Sequence, residues 1–412
     1  MLNTPFAPWP SFTQEEASAV SDVLLSNAVN YWTGQHGRAF EEEFARWSDS
    51  KYAIALTNGT VALDLALKAL DVGPGDEVIV TSRTFLASAS SIVTAGAIPI
   101  FADVDADSQN ITAETVRKVL STRTKAVICV HLAGWPCDMD PIMALADEHN
   151  LYVIEDCAQA HGARYKGRSV GSIGHISAWS FCQDKIMTTG GEGGMVTTND
   201  PELWSRMWSY KDHGKSWEAI YEREHPPGFR WLHDSFGTNW RMTELQAVIG
   251  RIQLKRMAAW TAARTTNAER IWQTCQDFSV LRVPQFGCAA TCNLDCANRN
   301  QCTHAHYKCY VQVRPERLAA GWSRDRIVEE IIERGVPCFQ GSCSEVYLEK
   351  AFDDTGWRPE QRLPMAQELG DTSLMFLVHP TLTEAQMDKT SAVIAEVMRQ
   401  AGRAERARLS GS

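Results

Sequence analysis

The 412-residue sequence lacks long apolar runs and any excess of positive charge. No stretch approaches the roughly 20 apolar residues that span a membrane, so no membrane segment is expected. The 40 lysines and arginines are outnumbered by 50 acidic residues, which gives a formal net charge of -10. Because wide capture of nucleic acid needs a basic face, nucleic acid is not an expected partner. A small anionic ligand stays compatible, since a few local cations or backbone N–H groups suffice to bind it.

The first residues also lack the basic stretch and apolar run of a secretory signal peptide. We therefore expect a cytoplasmic protein in which the twelve cysteines are reduced thiols. A hydrophobic fraction of 44% and a charged fraction of 22% are ordinary for a globular protein, which excludes a disordered or collagen-like chain. The length exceeds what one hydrophobic core usually supports, and two domains are expected.

Short β-branched runs alternate with helical patterns from about residue 50. The runs read as buried strands at 78–81, 98–101, 126–130 and 152–155. Helical patterns fall between them at 60–70, 112–120 and 140–149, and the second of these opens with a capping-box pattern, a threonine followed by an acidic residue. This alternation predicts an α/β fold with a mostly parallel sheet and helices on both of its faces.

The pattern changes after residue 176. Apolar runs at 177–182 and 195–198 flank a glycine-rich stretch and predict a hairpin-like excursion. A long helix is predicted from Thr243 to about Asp277, and a smaller α+β module follows, with a strand near 306–313 and helices at 323–334 and 383–399. We divide the chain into a large domain at 1–260, a small carboxy-terminal domain at 261–405 and a tail at 406–412.

An acid ends one of the predicted strands. Asp156 follows Glu155 at the carboxyl end of a parallel strand, where open α/β sheets bind ligands. A buried carboxylate there needs a partner. The alternative interpretation is that Asp156 caps the next helix.

A lysine lies just past another strand end. Lys185 follows the run at 177–182 and precedes the glycines at 190–194, so its surroundings have unusual backbone freedom. A desolvated lysine amine is a nucleophile able to form a Schiff base. Taken alone, Lys185 is better interpreted as a solvated surface charge, and the glycines as a tight turn.

A third motif lies where an extended segment meets a helix. Backbone N–H groups and a hydroxyl at Gly59 and Thr60 suit a phosphate. The alternative is ordinary capping of the helix by Thr60. Together, a phosphate cradle, an amine and an acid are what pyridoxal 5′-phosphate requires.

The sequence resembles the DegT/DnrJ/EryC1/StrS family of sugar aminotransferases over residues 10–379. The resemblance implies fold type I, the aspartate-aminotransferase fold, with a large domain and a smaller α+β domain. It is carried by five motifs in order, at 58–63, 155–162, 180–185, 188–194 and 237–247.

The resemblance also implies roles for single residues. Lys185 matches the lysine that forms the Schiff base and moves the proton. Asp156 matches the carboxylate on the pyridine nitrogen, Gln159 the side chain beside the ring and its 3-hydroxyl, and Phe85 the aromatic that stacks on the ring.

The other matches concern the phosphate. Gly59, Thr60 and Ser180 match phosphate binders, and Asn239 matches a residue that reaches the phosphate of the neighbouring subunit's cofactor. The resemblance thus implies a homodimer with shared active sites. The stretch 211–236 before Asn239 has little periodicity and can protrude toward a neighbour, and 237–239 is expected to open a helix there.

The implied reaction moves an amino group, from glutamate, to a keto group at C4 or C3 of a nucleotide-linked hexose. Two rivals are a nucleotide-sugar dehydratase, in which a histidine replaces the lysine, and a non-catalytic regulator that binds the cofactor. Ala133 stands where an aromatic is often found, and 335–340 lacks a common His-Tyr-Pro pattern. Both departures concern the sugar rather than the chemistry.

Five cysteines at 288–309 lie close to two histidines, and such a cluster could hold zinc. Their spacing is not that of paired Cys-x-x-Cys knuckles, so we assign no metal site and interpret the stretch as a loop with incidental thiols. Arg241 could bind a substrate phosphate or form an ion pair with Glu244, and the sequence does not separate these two interpretations.

Overall fold

The computed structural model describes residues 5–285 and 302–402. Within them, strands form a seven-stranded sheet, a four-stranded sheet and a short two-stranded one. The strands are β1 (Tyr52–Leu56), β2 (Glu77–Thr81), β3 (Ile98–Ala102), β4 (Thr124–Val130), β5 (Tyr152–Asp156), β6 (Arg164–Tyr165), β7 (Arg168–Ser169), β8 (Ile176–Ser180), β9 (Gly194–Thr198), β10 (Leu281–Arg282), β11 (Cys309–Val313), β12 (Cys338–Phe339) and β13 (Ser373–Phe376).

Helices precede and connect these strands. They are α1 (Gln14–Leu25), α2 (His36–Trp47), α3 (Gly59–Ala69), α4 (Ala87–Thr94), α5 (Ala113–Arg117), α6 (Met139–His149), α7 (Pro201–Tyr210), α8 (Trp217–Tyr221), α9 (Glu244–Gln276), α10 (Arg324–Glu333), α11 (Pro364–Thr372) and α12 (Glu384–Ala401). None of the helices in the described part of the chain is long and apolar enough to cross a membrane.

The large sheet has the order β1-β9-β8-β5-β4-β2-β3. Strands β8, β5, β4, β2 and β3 run parallel, whereas β9 is antiparallel to both of its neighbours. The predicted α/β fold is confirmed, and so is the hairpin-like excursion, which is the β8–β9 pair. The central strands are buried on both faces, as expected for a parallel sheet covered by helices.

The four-stranded sheet has the order β10-β11-β13-β12, and every pairing in it is antiparallel. Its apolar face packs against α9, α10 and α12 in a core that includes Ile271, Val311, Ile331 and Val397. The large sheet has cores of its own on both of its faces. The domain boundary at 260/261, which falls inside α9, stays a prediction.

Two local predictions and one alternative interpretation were wrong. Helix α5 covers only Ala113–Arg117, and the residue that completes its capping box with Thr112 is Thr115 rather than an acidic side chain. Helix α3 is capped by Asn58, whose side chain accepts from the Val61 N–H, so Thr60 lies inside the helix. The residues 237–239 do not open a helix.

The start of α9 explains that last difference. The helix begins at Glu244 and is capped by Thr243, whose hydroxyl bonds the N–H of Gln246. Asn239 lies before this cap and forms an isolated antiparallel bridge with Asp212. Arg241 donates to Asp212 over 2.6 Å, so its ion partner in the protein is not Glu244, and a contact with a substrate phosphate stays a prediction. Glu244 instead accepts from the backbone N–H groups of His36 and Gly37.

Candidate active site

The sheet brings three of the predicted motifs to one edge. Gly194 is paired with Leu56 of β1 on one side and with Ser180 of β8 on the other. Asp156 ends β5, and it is paired with Ala178 of β8. The carboxyl ends of β5 and β8 and the start of α3 therefore meet at the same edge, where ligands bind in open α/β sheets.

The start of α3 forms a narrow cradle against β8. Asn58 caps the helix through a 2.9 Å bond from the Val61 N–H, which leaves the N–H groups of Gly59 and Thr60 without an intrahelical partner. A Cβ added to Gly59 would lie 2.6 Å from Cβ of Ser180. Glycine thus lets the helix end approach the Ser180 side chain closely enough for both to contact one small anion.

Asp156 is held on both carboxylate oxygens. Its Oδ2 accepts from the Ser88 hydroxyl at 2.8 Å, and its Oδ1 accepts from the Ala158 N–H at 3.1 Å. The side chain is buried, and burial raises the pKa of the Asp156 carboxyl, an effect that these hydrogen bonds and the nearby charge of Lys185 oppose. Such a carboxyl is suited to face a positively charged ligand atom.

Lys185 lies in the loop that follows β8. Its Nζ is 3.9 Å from Oδ1 of Asp184 and 5.2 Å from the centroid of the Tyr307 ring, and its side chain is 16% exposed. Its backbone carbonyl accepts a 2.7 Å hydrogen bond from the indole of Trp9. The structure therefore places the lysine in a semi-enclosed position, not on an open surface.

The remaining predicted residues differ in position. Gln159 is buried, and its Oε1 accepts from the Ala133 N–H at 2.9 Å. Its amide nitrogen, rather than its oxygen, is therefore the atom that can contact a ligand. Phe85 is 70% exposed, which leaves a ring face able to stack on a planar ligand. Asn239 is exposed, and its backbone pairs with Asp212 rather than with the residues at the sheet edge.

Residues that the sequence did not single out complete the site. Ser88 and Trp9 lie far from Asp156 and Lys185 in the chain, and no local motif signals either contact. Glu155 was noted only as part of a motif. Its carboxylate is buried and accepts from the backbone N–H groups of Gly171, Ile173 and Gly174, which fixes the loop beneath β5.

His131 completes the environment of Glu155. The Cys137 N–H donates to its Nδ1 at 3.0 Å, so the ring proton lies on Nε2 and is donated to Glu155 over 3.0 Å. Burial opposes ionisation of Glu155, but His131 and the backbone N–H groups outweigh burial and lower the pKa of this carboxyl. His131, Glu155 and Cys157 lie close enough to chelate a metal. Hydrogen bonds within the protein already engage both oxygens of Glu155 and both nitrogens of His131.

The cysteine-rich stretch falls mostly outside the described residues, which do not include Cys288, Cys292 and Cys296. The Cys302 sulfur accepts from the Lys166 N–H at 3.3 Å. The expectation of no metal site there stays a prediction. All nine cysteines in the described part of the chain are free thiols.

The residues at the sheet edge fit pyridoxal 5′-phosphate. The cradle at Gly59 and Ser180 suits its phosphate, the buried carboxylate of Asp156 its ring nitrogen, and the amine of Lys185 its aldehyde. The charge of Lys185 opposes the rise in the pKa of the Asp156 carboxyl, so the amine lies near the acid.

Comparisons with known proteins agree with this geometry. A model of the DegT/DnrJ/EryC1/StrS aminotransferase family matches residues 10–397. GDP-perosamine synthase of Caulobacter vibrioides is 36% identical over 390 residues, 92% of this chain and 95% of that protein. A dTDP-3-amino-3,4,6-trideoxy-alpha-D-glucose transaminase of Streptomyces venezuelae is 32% identical and covers 90% of each chain. The crystal structure of an aminotransferase from Psychrobacter cryohalolentis superposes with a TM-score of 0.92 at 66% identity, covering 96% of this chain and 99% of that one.

Proposed function

The chain belongs to the DegT/DnrJ/EryC1/StrS aminotransferase family, and from this we propose that it transfers an amino group to a keto group of a nucleotide-linked hexose. It is an aminotransferase that uses pyridoxal 5′-phosphate. Two relatives carry GDP- and dTDP-linked sugars in their names, which supports a nucleotide sugar as the acceptor for this chain as well. Glutamate is proposed as the amino donor, and C4 or C3 as the carbon that receives the amino group.

Pyridoxal phosphate, when bound, supplies an aldehyde that takes up an amino group and a ring that withdraws electrons from the neighbouring carbon. Gly59, Thr60 and Ser180 would hold its phosphate, and Phe85 would cover one ring face. Gln159 would contact the ring on the side of its 3-hydroxyl through the amide nitrogen, because its oxygen is engaged by Ala133.

The chain's own residues manage charge and protons. The Asp156 carboxylate would hold a proton on the ring nitrogen, since a fixed negative charge in a buried site favours the protonated form. Lys185 Nζ would hold the aldehyde carbon and, once released, carry a proton to and from the substrate carbon that bears the amino group. Asp184 lies close enough to stabilise that amine when it is charged.

We place the second half of the site on another copy of this chain. In the stretch before Asn239, the large apolar side chains of Phe229, Trp231 and Phe236 are 77%, 80% and 99% exposed. Exposed aromatic clusters of this kind mark protein interfaces. Asn239 follows this surface directly, which supports a homodimer in which it serves the partner's cofactor.

The convergence of Asp156, Lys185 and the Gly59–Ser180 cradle on one sheet edge carries the proposal. Its test is to add glutamate to the purified holoenzyme while recording the visible absorbance of the cofactor and the release of 2-oxoglutarate. If the protein is an aminotransferase, glutamate should remove the absorbance of the lysine-bound cofactor, and one 2-oxoglutarate should be released per site. A panel of keto-sugar nucleotides should then restore the starting spectrum, and the aminated product identifies the sugar and the carbon.

The same measurement separates the two rivals. A dehydratase of this family would show no lysine-bound cofactor at the start, and Lys185 itself argues against it. A regulator would show a spectrum that glutamate does not change. Either result would reject the proposed function.

A further inference from the structure

A cavity of about 290 Å³ lies beneath the amino-terminal segment. None of the residues proposed to hold the cofactor is among the described residues that line it. Aromatic and aliphatic side chains make up most of its wall, and its polar lining consists chiefly of Asp184, Arg264, Lys308 and His379. Arg264 comes from the middle of α9, whereas Lys308 directly precedes β11.

Arg264 is fully buried without a carboxylate partner among the described residues. Its Nη1 makes long hydrogen bonds of 3.3 and 3.4 Å to the carbonyls of His306 and Tyr307. Nε and Nη2, in contrast, have no hydrogen-bond partner in the described part of the chain. These two nitrogens form the edge of the guanidinium that grips a carboxylate or phosphate with two parallel bonds.

The charges around the cavity are unbalanced. Burial lowers the pKa of Arg264 to about 9. Burial and the nearby charges of Arg264 and Lys185 lower the pKa of Lys308 to about 8, although Asp184 opposes that shift. Burial and the same cation lower the pKa of His379 to about 3, so the imidazole is neutral and adds no charge. Asp184, the one acid of the lining, already accepts from Tyr307 and faces Lys185. A buried cation in this position is costly without a counter-charge.

We propose that this cavity binds a small oxyanion, a carboxylate or a phosphate, on the Nε–Nη2 edge of Arg264, with Lys308 as the second cation. Trp9 lies over the guanidinium, with its ring centroid 5.0 Å from Cζ. Both nitrogens are shielded from water, so anion binding requires the side chains that cover them to shift. The cavity shares Asp184 with the surroundings of Lys185. Its test measures anion binding rather than turnover, so its failure is distinguishable from failure of the proposed function.

The test is calorimetric titration of the holoenzyme in a buffer free of phosphate and sulfate, with inorganic phosphate in one arm and succinate in the other. The bound cofactor fills the phosphate cradle, so that cradle does not contribute. Saturable binding is expected in at least one arm, and the arm identifies the anion class. Arg264→Gln should weaken it by roughly tenfold or more, as for the loss of a bidentate charge-assisted contact.

Arg270→Gln is the matched control, because Arg270 lies on the same helix but pairs with Asp388 at the surface. It should leave the affinity unchanged. Lys308→Gln should weaken binding without removing a fully buried group, which keeps the test decisive if Arg264→Gln does not fold. Selenate soaked into holoenzyme crystals should give an anomalous peak beside Arg264. The proposal would be overturned if neither arm showed saturable binding, or if both the Arg264 and the Lys308 variants bound the anion as tightly as wild type. Selenate bound only at other positions would also overturn it.

Discussion

Ser88 donates a 2.8 Å hydrogen bond to Oδ2 of Asp156, and with the Ala158 N–H it fixes both oxygens of that carboxylate. Ser88 belongs to α4, which packs against α3. The helix whose first residues form the phosphate cradle is therefore tied through its neighbour to the acid of the site. This connection indicates that the acid is oriented by the protein before any ligand binds.

Asp156→Asn should reduce single-turnover transamination by roughly 10²–10³-fold, as for removal of a fixed electrostatic group from an active site. The amide oxygen can replace one of the two carboxylate oxygens that accept from Ser88 and Ala158, and the neutral side chain no longer favours a protonated ring nitrogen. Asp156→Glu keeps the charge and should lose less. Rapid-mixing absorbance with glutamate measures the rate, and an unchanged rate in the Asn variant would show that the carboxylate has another role.

Lys185→Ala should abolish turnover, with a loss of at least about 10²–10⁴-fold, because this amine is the proposed acid and base. The cofactor should still bind, but its visible spectrum should lack the lysine-bound form. Lys51→Ala, at an exposed lysine, is the control and should behave as wild type. Full activity in a purified, folded Lys185→Ala protein would reject the assignment.

Gly59→Ala should weaken cofactor binding by about 10- to 100-fold, since the new methyl group would overlap Ser180 and cost about 1–3 kcal/mol. Gly73→Ala is matched to it, because a Cβ there meets only a carbonyl oxygen at 3.9 Å. Titration of the apo-protein with pyridoxal phosphate gives both affinities. Equal affinities for the two variants would mean that the start of α3 does not hold the phosphate.

Asn239 should act in the partner's site. An inactive Lys185→Ala chain mixed with a chain carrying Asn239→Leu, after subunit exchange, should form heterodimers in which one site has both defects and the other has none. Activity should then rise toward half of wild type in isolated heterodimers. If heterodimers stay inactive although each single variant is folded, Asn239 serves its own subunit.

Glu155→Gln should lower the free energy of unfolding by about 3 kcal/mol. The NH2 group of the glutamine would face backbone N–H groups that now donate to the carboxylate, so these donors would lose their acceptor. The folded pKa of Glu155 is lowered, so its stabilisation is present above the unfolded pKa of about 4.3. That stabilisation is lost as pH falls toward the lower, folded value. Urea titrations at several pH values should therefore show the wild type and the variant converging in stability as the pH falls below about 4. A constant difference would contradict this role.

Local patterns in the sequence were sufficient to predict the parallel sheet and the positions of Asp156 and Lys185 at its edge. Both depend on short-range signals, namely β-branched runs and the residues that follow them. The roles of three other residues depend instead on tertiary contacts between distant segments, which sequence spacing does not reveal. These residues are Ser88, Trp9 and Arg264. The alternative that Thr60 caps the helix was wrong, because Asn58, two residues earlier, takes that role.

The hydrogen bond from Trp9 to the Lys185 carbonyl has a consequence for protein engineering. Pro5, Pro8 and Trp9 are tied to the rest of the chain through Gln386, Thr381 and Lys185, respectively. A mutant library that diversifies positions 5–9 therefore also changes a contact that holds the Lys185 backbone in place. Directed evolution for a new acceptor should treat these two segments, 176 positions apart at their contact, as one design unit.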